Sequence, residues 1–206
     1  MKILLKDIKI TNYKNEKSDI LINNGLIEKI SKQIEYKDAD FTFYLEERLV
    51  TLPLLFTYPR PVKLLEGYKN LISIVLNGVK TGYTNYIFNI EDLGEDTAKN
   101  ICDFFSTNYL KGLLLLDNNI NYKYNDFVYF QNLKSLGFKN EKDIEKYFSK
   151  IFKIPKKIEE REEASIIIWD TKNKTDILNS IPYIIVSKGK IIYREGRFIF
   201  SSILTI

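Results

Sequence analysis

The sequence predicts a mixed α/β protein, in which a small β-sandwich is formed by both chain ends and a parallel βα fragment fills the middle. Three observations predict it. Both ends are β-rich runs broken by two-residue turns, the middle alternates short apolar runs with segments of helical periodicity, and the composition supplies a core. Of 206 residues, 45% are hydrophobic and 14% aromatic, which excludes a disordered chain. By length this is one domain, or one domain with a small appendage.

Lys2 to Ile10 reads as the first strand. Asp19 to Ile30 follows as a hairpin, because Asn24-Gly25 between two apolar runs is the strongest short-range sign of a type I′ turn. Phe41 to Leu45 is a further strand with Glu46-Glu47-Arg48 as its polar turn, and Leu49 to Pro61 is an apolar strand with Pro53 near its start. From Leu64 to Val79, apolar residues recur at three and four, the mark of an amphipathic helix. Thr81 to Glu91 is a strand. Glu95 to Leu110 is a second helix with acidic residues in its first turn, where the macrodipole favours them, and Lys111-Gly112 stops it. Leu113 to Leu116 is apolar on both faces, as a buried parallel strand is. Strand, helix, strand, helix, strand at these intervals makes a right-handed βαβαβ unit.

Phe127 to Phe130 is a further strand, Asp143 to Phe152 a third helix, and Lys156 to Glu163 a charged connector. The chain returns to β structure at Ala164 to Asp170 and at Ile184 to Phe198. In the latter, Ser187 to Lys190 is a tight hairpin whose positive φ falls to Gly189, and Glu195-Gly196 turns the chain again. Trp169 is expected to bury its ring while its N–H finds an acceptor.

The formal charge is +4 and the pI 8.8, with Lys and Glu interspersed, a pattern of solvated faces rather than of a clustered nucleic-acid footprint. Even Lys150, Lys153, Lys156 and Lys157, interleaved with Tyr147, Phe148 and Phe152, are balanced by Glu159, Glu160, Glu162 and Glu163. Nucleic acid is therefore not the expected partner. Cys102 is the single cysteine, lies on the apolar side of a helix and fits a reducing cytoplasm, the expected location. No run of about eighteen apolar residues occurs, so no membrane span is expected, and the N-terminus lacks the apolar core of a leader. The most telling count is that of histidine, which is zero. It removes Ser-His-Asp and Cys-His arrangements and every His-based zinc site.

Lys6 to Ile10, the Asp19 to Ile30 hairpin, the Ala164 to Asp170 strand and the Val186 to Gly196 run, in this order around a βα middle, resemble the amidohydrolase superfamily, the cyclic amidohydrolases and dihydroorotases in particular. In that family a small β-sandwich built from both chain ends flanks a metal-bearing (β/α)8 barrel, so the resemblance implies a composite β-sandwich domain, residues 1–48 with 158–206, and a truncated βα barrel-like domain, residues 49–157. In that family the first barrel strand ends in an Asp and a His-x-His pair. Aligned on Pro53, the two histidine positions fall on Pro59 and Pro61; shifted by one residue, they fall on Tyr58 and Arg60. A proline side chain offers a metal no lone pair. The second barrel strand ends, in the family, in a substrate-binding Asn; here Glu91 holds the matching position, with Asn89 two residues before it. Val50 to Ile154 is 105 residues, against about 200 for the smallest complete barrel. The fold class expected is therefore α/β with a sandwich from both ends plus a truncated parallel βα fragment of a TIM-type barrel. The family's later ligands, a carbamylated Lys or carboxylate, two more histidines and an Asp on the last strand, have no counterpart.

These losses predict a catalytically inactive dihydroorotase-like homologue with a structural or partner-binding role, which the resemblance sets in pyrimidine biosynthesis. No catalytic residue, metal or cofactor is expected, and Arg60, Asn89 and Glu91 are vestigial substrate contacts. The alternative is a hydrolase of cyclic amide C–N bonds with a carboxylate-based metal site. Asp92 and Asp117, beside Glu91, stand at the C-terminal ends of parallel strands, where open α/β sheets bind ligands, and oxygen ligands suit Mg²⁺ or Mn²⁺. A parallel sheet left open beyond Leu113 to Leu116 predicts a protein partner or a homo-oligomer.

Overall fold

The computed structural model describes residues 1–11, 16–35, 37, 39–58, 60–64, 68–91, 93–116, 122–123, 126–132, 136–137 and 140–199. In chain order the elements begin with β1 (Lys2–Ile10), β2 (Lys17–Asn23), β3 (Leu26–Ser31), β4 (Phe41–Tyr44) and β5 (Leu49–Thr51). Next come β6 (Leu54–Thr57), β7 (Val62–Lys63), α1 (Lys69–Val79), β8 (Tyr83–Glu91), α2 (Glu95–Thr107), β9 (Lys111–Leu116), β10 (Tyr122–Lys123), β11 (Val128–Asn132) and α3 (Glu141–Ile151). Then follow β12 (Ile166–Trp169), a 3₁₀ turn at Lys174–Asn179, β13 (Pro182–Ser187), β14 (Lys190–Arg194) and β15 (Arg197–Phe198). The single strand expected over Leu49 to Pro61 is thus two strands in two different sheets, parted at Leu52-Pro53, where proline has no N–H to give a ladder. Two compact units result: Met1–Pro53 with Lys80–Gly82 and Pro155–Phe200, and Leu54–Val79 with Tyr83–Ile154.

The first unit is one sheet in the order β15-β14-β13-β12-β5-β1-β2-β3, with β4 also on β1. Both chain segments share it because β5 pairs with β1 on one side and β12 on the other. The sequence expectation is a sandwich built from both chain ends, and the hydrogen bonds join both ends in one continuous sheet. One buried cluster takes Ile3, Leu5, Ile20 and Ile22 from the early strands and Ile166, Ile168, Ile184 and Val186 from the late ones.

A bulge explains how β1 serves two partners. Its register on β2 shifts between Leu5 and Ile8, where Asp7 takes a φ of 60°. Before the bulge β1 pairs with β4 (Ile3 to Lys6 with Phe41 to Tyr44), and after it with β5 (Lys9 and Ile10 with Leu49 and Val50). The buried Asp19 carboxylate fixes the kink, accepting from the Asp7 N–H at 2.9 Å, the Ile34 N–H at 2.9 Å and the Lys6 ammonium at 3.0 Å. Beside it, Lys17 at 2.7 Å and Lys9 at 2.6 Å hold the Glu47 carboxyl down to about 2.

The tips of the β2–β3 and β13–β14 hairpins meet backbone to backbone. A Cβ on Gly189 would lie 2.6 Å from the Gly25 Cα, and both glycines have positive φ, +72° and +84°. No other residue type fits there.

The second unit is a sheet in the order β10-β11-β9-β8-β6, with β7 also on β8. Its β6, β8, β9 and β11 pairings are parallel, while β10 closes one edge antiparallel. Alternation along β8 assigns its two faces. Tyr86 and Phe88 lie on the side of α1 and α2: the Tyr86 hydroxyl is 2.9 Å from the Val75 carbonyl and its ring meets Phe105 edge-on. Ile87 lies on the other side with Leu113 and Leu115, under Phe148 and Phe152 of α3 and its C-cap. Helices therefore cover both faces of this sheet.

Two boundaries differ from expectation. The first helix starts at Lys69 instead of Leu64, and β9 starts at Lys111 because Gly112 is a strand residue whose missing side chain makes room for Phe105, 2.8 Å from where a Cβ would stand.

Candidate functional site

The sequence placed its candidate residues at the C-terminal ends of the parallel strands, and the strand period decides which of them come together. Ile87, Asn89 and Glu91 alternate to one face of β8, so Asn89 and Glu91 continue past the cluster under α3. Asn89 is half-buried opposite Leu115. Glu91 pairs in register with Lys63 of β7, and their charged ends are 4.0 Å apart. Arg60 and Pro61 are exposed in the turn between β6 and β7. Pro59, Asp92 and Asp117 lie outside the described residues. Among the described residues, no three Cys, Asp or Glu side chains gather as metal ligands.

Cys102 is buried on α2. Burial pushes its thiol up to about 12, with Asp103 adding to the effect. No helix among the described residues is long and apolar enough to cross a membrane.

Sequence reasoning missed a cleft. On the α1 side of the sheet a cavity of ≈ 470 Å³ opens between the β6–β7 turn and α1. Tyr58, Pro61, Val62 and Lys63 form one wall, and Asn70, Ser73 and Ile74 the other. The signal was present in α1, where Asn70, Ser73 and Ile74 stand at i, i+3 and i+4 and so share a side of the helix. What they face depends on the strand partner of β7, which no local pattern reports. Tyr58 is held in place by its N–H donated to the Ile87 carbonyl at 3.0 Å, and by the rings of Phe56 and Phe88 at 6.1 and 6.0 Å. Val62 is held by its pairing with Ile90. The wall is preformed.

Neither a family model nor a curated protein matches this sequence. Solved structures do match. A triazine hydrolase from Arthrobacter aurescens aligns at 9% identity and a TM-score of 0.41, covering 56% of this chain and 35% of that one. A D-hydantoinase aligns at 18% identity and a TM-score of 0.41, covering 56% of this chain and 27% of that one. This chain thus spans about a third of the length of those enzymes. An amidohydrolase from Thermotoga maritima MSB8 aligns at 11% identity and a TM-score of 0.50, over 94% of this chain and 100% of that one. At these identities the likeness is one of fold, and the fold of this chain is similar to that of an amidohydrolase.

Proposed function

We propose that this chain is a catalytically inactive, dihydroorotase-like protein of amidohydrolase fold, with a structural or partner-binding role in the setting of pyrimidine biosynthesis. The observation that carries the reading is the seat of α3. In a closed barrel the helices lie outside only, the inner strand faces pack on one another, and the catalytic residues stand at the C-terminal ends of several different strands. Here Phe148 and Phe152 fill the corresponding face over Ile87, Leu113 and Leu115. A helix of this chain thus lies where the further strands of a barrel, and the catalytic residues they carry, would stand. The sequence supports the same reading, since 206 residues without a histidine supply neither a His-x-His pair nor a neutral-pH imidazole base.

The test is hydrolysis itself. The pure chain, given dihydroorotate or hydantoin with Zn²⁺, Mn²⁺ or Mg²⁺ in turn, is expected to open no ring beyond the metal-only control. Ring opening that scales with protein and is lost in Asp92→Asn and Asp117→Asn would overturn the proposal. It would establish the carboxylate-based hydrolase in its place.

A further inference from the structure

We propose that the outer edge of β4 takes up an extended segment of a different protein, one with β-branched or apolar side chains between a cation at each end. The proposal rests on the partner-binding role put forward above, for which it names the surface, and does not depend on whether the chain hydrolyses anything.

Among the described residues β4 pairs with β1 alone. The register sets Lys6 opposite Tyr44, and the Lys6 carbonyl accepts the N–H of the next residue, Leu45, at 3.0 Å. In a parallel ladder every second residue bonds to the same neighbour, so Phe41 and Phe43 turn their N–H and C=O towards β1, and Thr42 and Tyr44 turn theirs outward. Both outward residues are exposed, Tyr44 by 72%. The edge lacks the usual guards. Phe41-Thr42-Phe43-Tyr44 has no proline and no charge, and each of its residues favours a strand. The Asp40 N–H on the Lys2 carbonyl, also at 3.0 Å, and the Leu45 bond carry the run beyond the strand at both ends.

Charge selects the occupant. Asp40 and Glu46 stand exposed at the two ends of the run. Arg194 lies over the Phe43 ring at 5.1 Å but is held by Glu195 at 3.0 Å. A second copy, paired antiparallel so that Thr42 meets Tyr44, would set Asp40 against Glu46 at both ends, and like charges oppose that pairing. A segment of about seven residues with a Lys or Arg at each end spans the same length and meets an opposite charge at each.

The probe is the end-blocked peptide KTVTVTK, with ETVTVTE as a peptide of the same strand preference and opposite charge, each titrated into ¹⁵N-labelled protein. KTVTVTK is expected to move the Thr42 and Tyr44 amides saturably and to slow their hydrogen exchange, and ETVTVTE to leave both in place. Methylating two successive central nitrogens of KTVTVTK blocks both of its edges and leaves the protein untouched; it should weaken binding at least about tenfold. The double variant Asp40→Asn with Glu46→Gln should weaken KTVTVTK severalfold at an unchanged melting temperature. No saturable shift at these amides, equal binding of ETVTVTE, or indifference to N-methylation or to the double variant would each overturn the proposal. So would concentration-dependent broadening of the two amides without peptide, which would make a second copy the occupant. The hydrolysis test is separate, since ring opening would overturn the inactive reading and leave these outcomes as they are.

Discussion

Trp169 is 3% exposed and donates its indole N–H to the Thr51 hydroxyl at 2.8 Å, across 118 residues of chain. Its ring also fills the space that a side chain at position 82 would occupy: a Cβ on Gly82 would lie 2.8 Å from the indole, and Gly82 has a φ of +95°. That the ring would be buried and its N–H satisfied follows from its neighbours Ile168 and Asp170 in a β-rich run. Which hydroxyl satisfies it does not, because the answer depends on β5 pairing with β12. Trp169→Ala is predicted to cost about 3 to 5 kcal/mol, the range for truncating a buried aromatic. Trp169→Phe should cost less, since it keeps ring packing and Thr51 retains the Leu52 carbonyl at 3.0 Å as an acceptor. Urea unfolding of the two variants measures the difference. A near-neutral alanine variant would mean that the indole contributes no packing.

Among the elements, α3 was legible as a helix and illegible as a lid on the sheet. Its spacing gave an apolar stripe, and Asn140 caps it by accepting the Asp143 N–H at 3.2 Å. Right-handed crossovers put α1 and α2 on one side, because each links two neighbouring parallel strands. After α3 the chain goes to β12 in the other sheet, so that rule leaves its side open. The both-sided apolar pattern of Leu113 to Leu116 demanded a cover without naming it. The candidate site divides the same way: the strand period puts Asn89 and Glu91 on one face from sequence alone, whereas the cleft needs the β7–β8 pairing. Phe148 is fully buried, with its ring 4.6 Å from that of Phe152. Phe148→Ala is predicted to cost about 3 to 5 kcal/mol in urea unfolding. A loss below about 1 kcal/mol would show that α3 sits loosely, and would remove the main support for an inactive protein.

At the scale of the whole molecule, the expectation of a partner began from a parallel sheet left uncovered, and α3 now covers it within the chain. Within the second unit little sheet edge remains for self-association. The β6 edge is four residues long and follows Pro53, and the opposite edge is the two-residue β10, both too short to template pairing well. Among the described residues the largest apolar exposures are Leu178 at 95% and Tyr44 at 72%, with Ile181 at 60%. Burying Leu178 and Ile181 fully would contribute about 1.5 to 3 kcal/mol each. Association costs about 4 to 15 kcal/mol in lost rigid-body freedom before any side chain is ordered. The gain does not clearly exceed the cost. The isolated chain is therefore predicted to scatter light as a 24.3 kDa monomer at micromolar concentration, which turns the proposed partner-binding role towards a different protein with a larger complementary surface. A mass of twice that value, concentration-independent over the same range, would overturn this and restore the homo-oligomer.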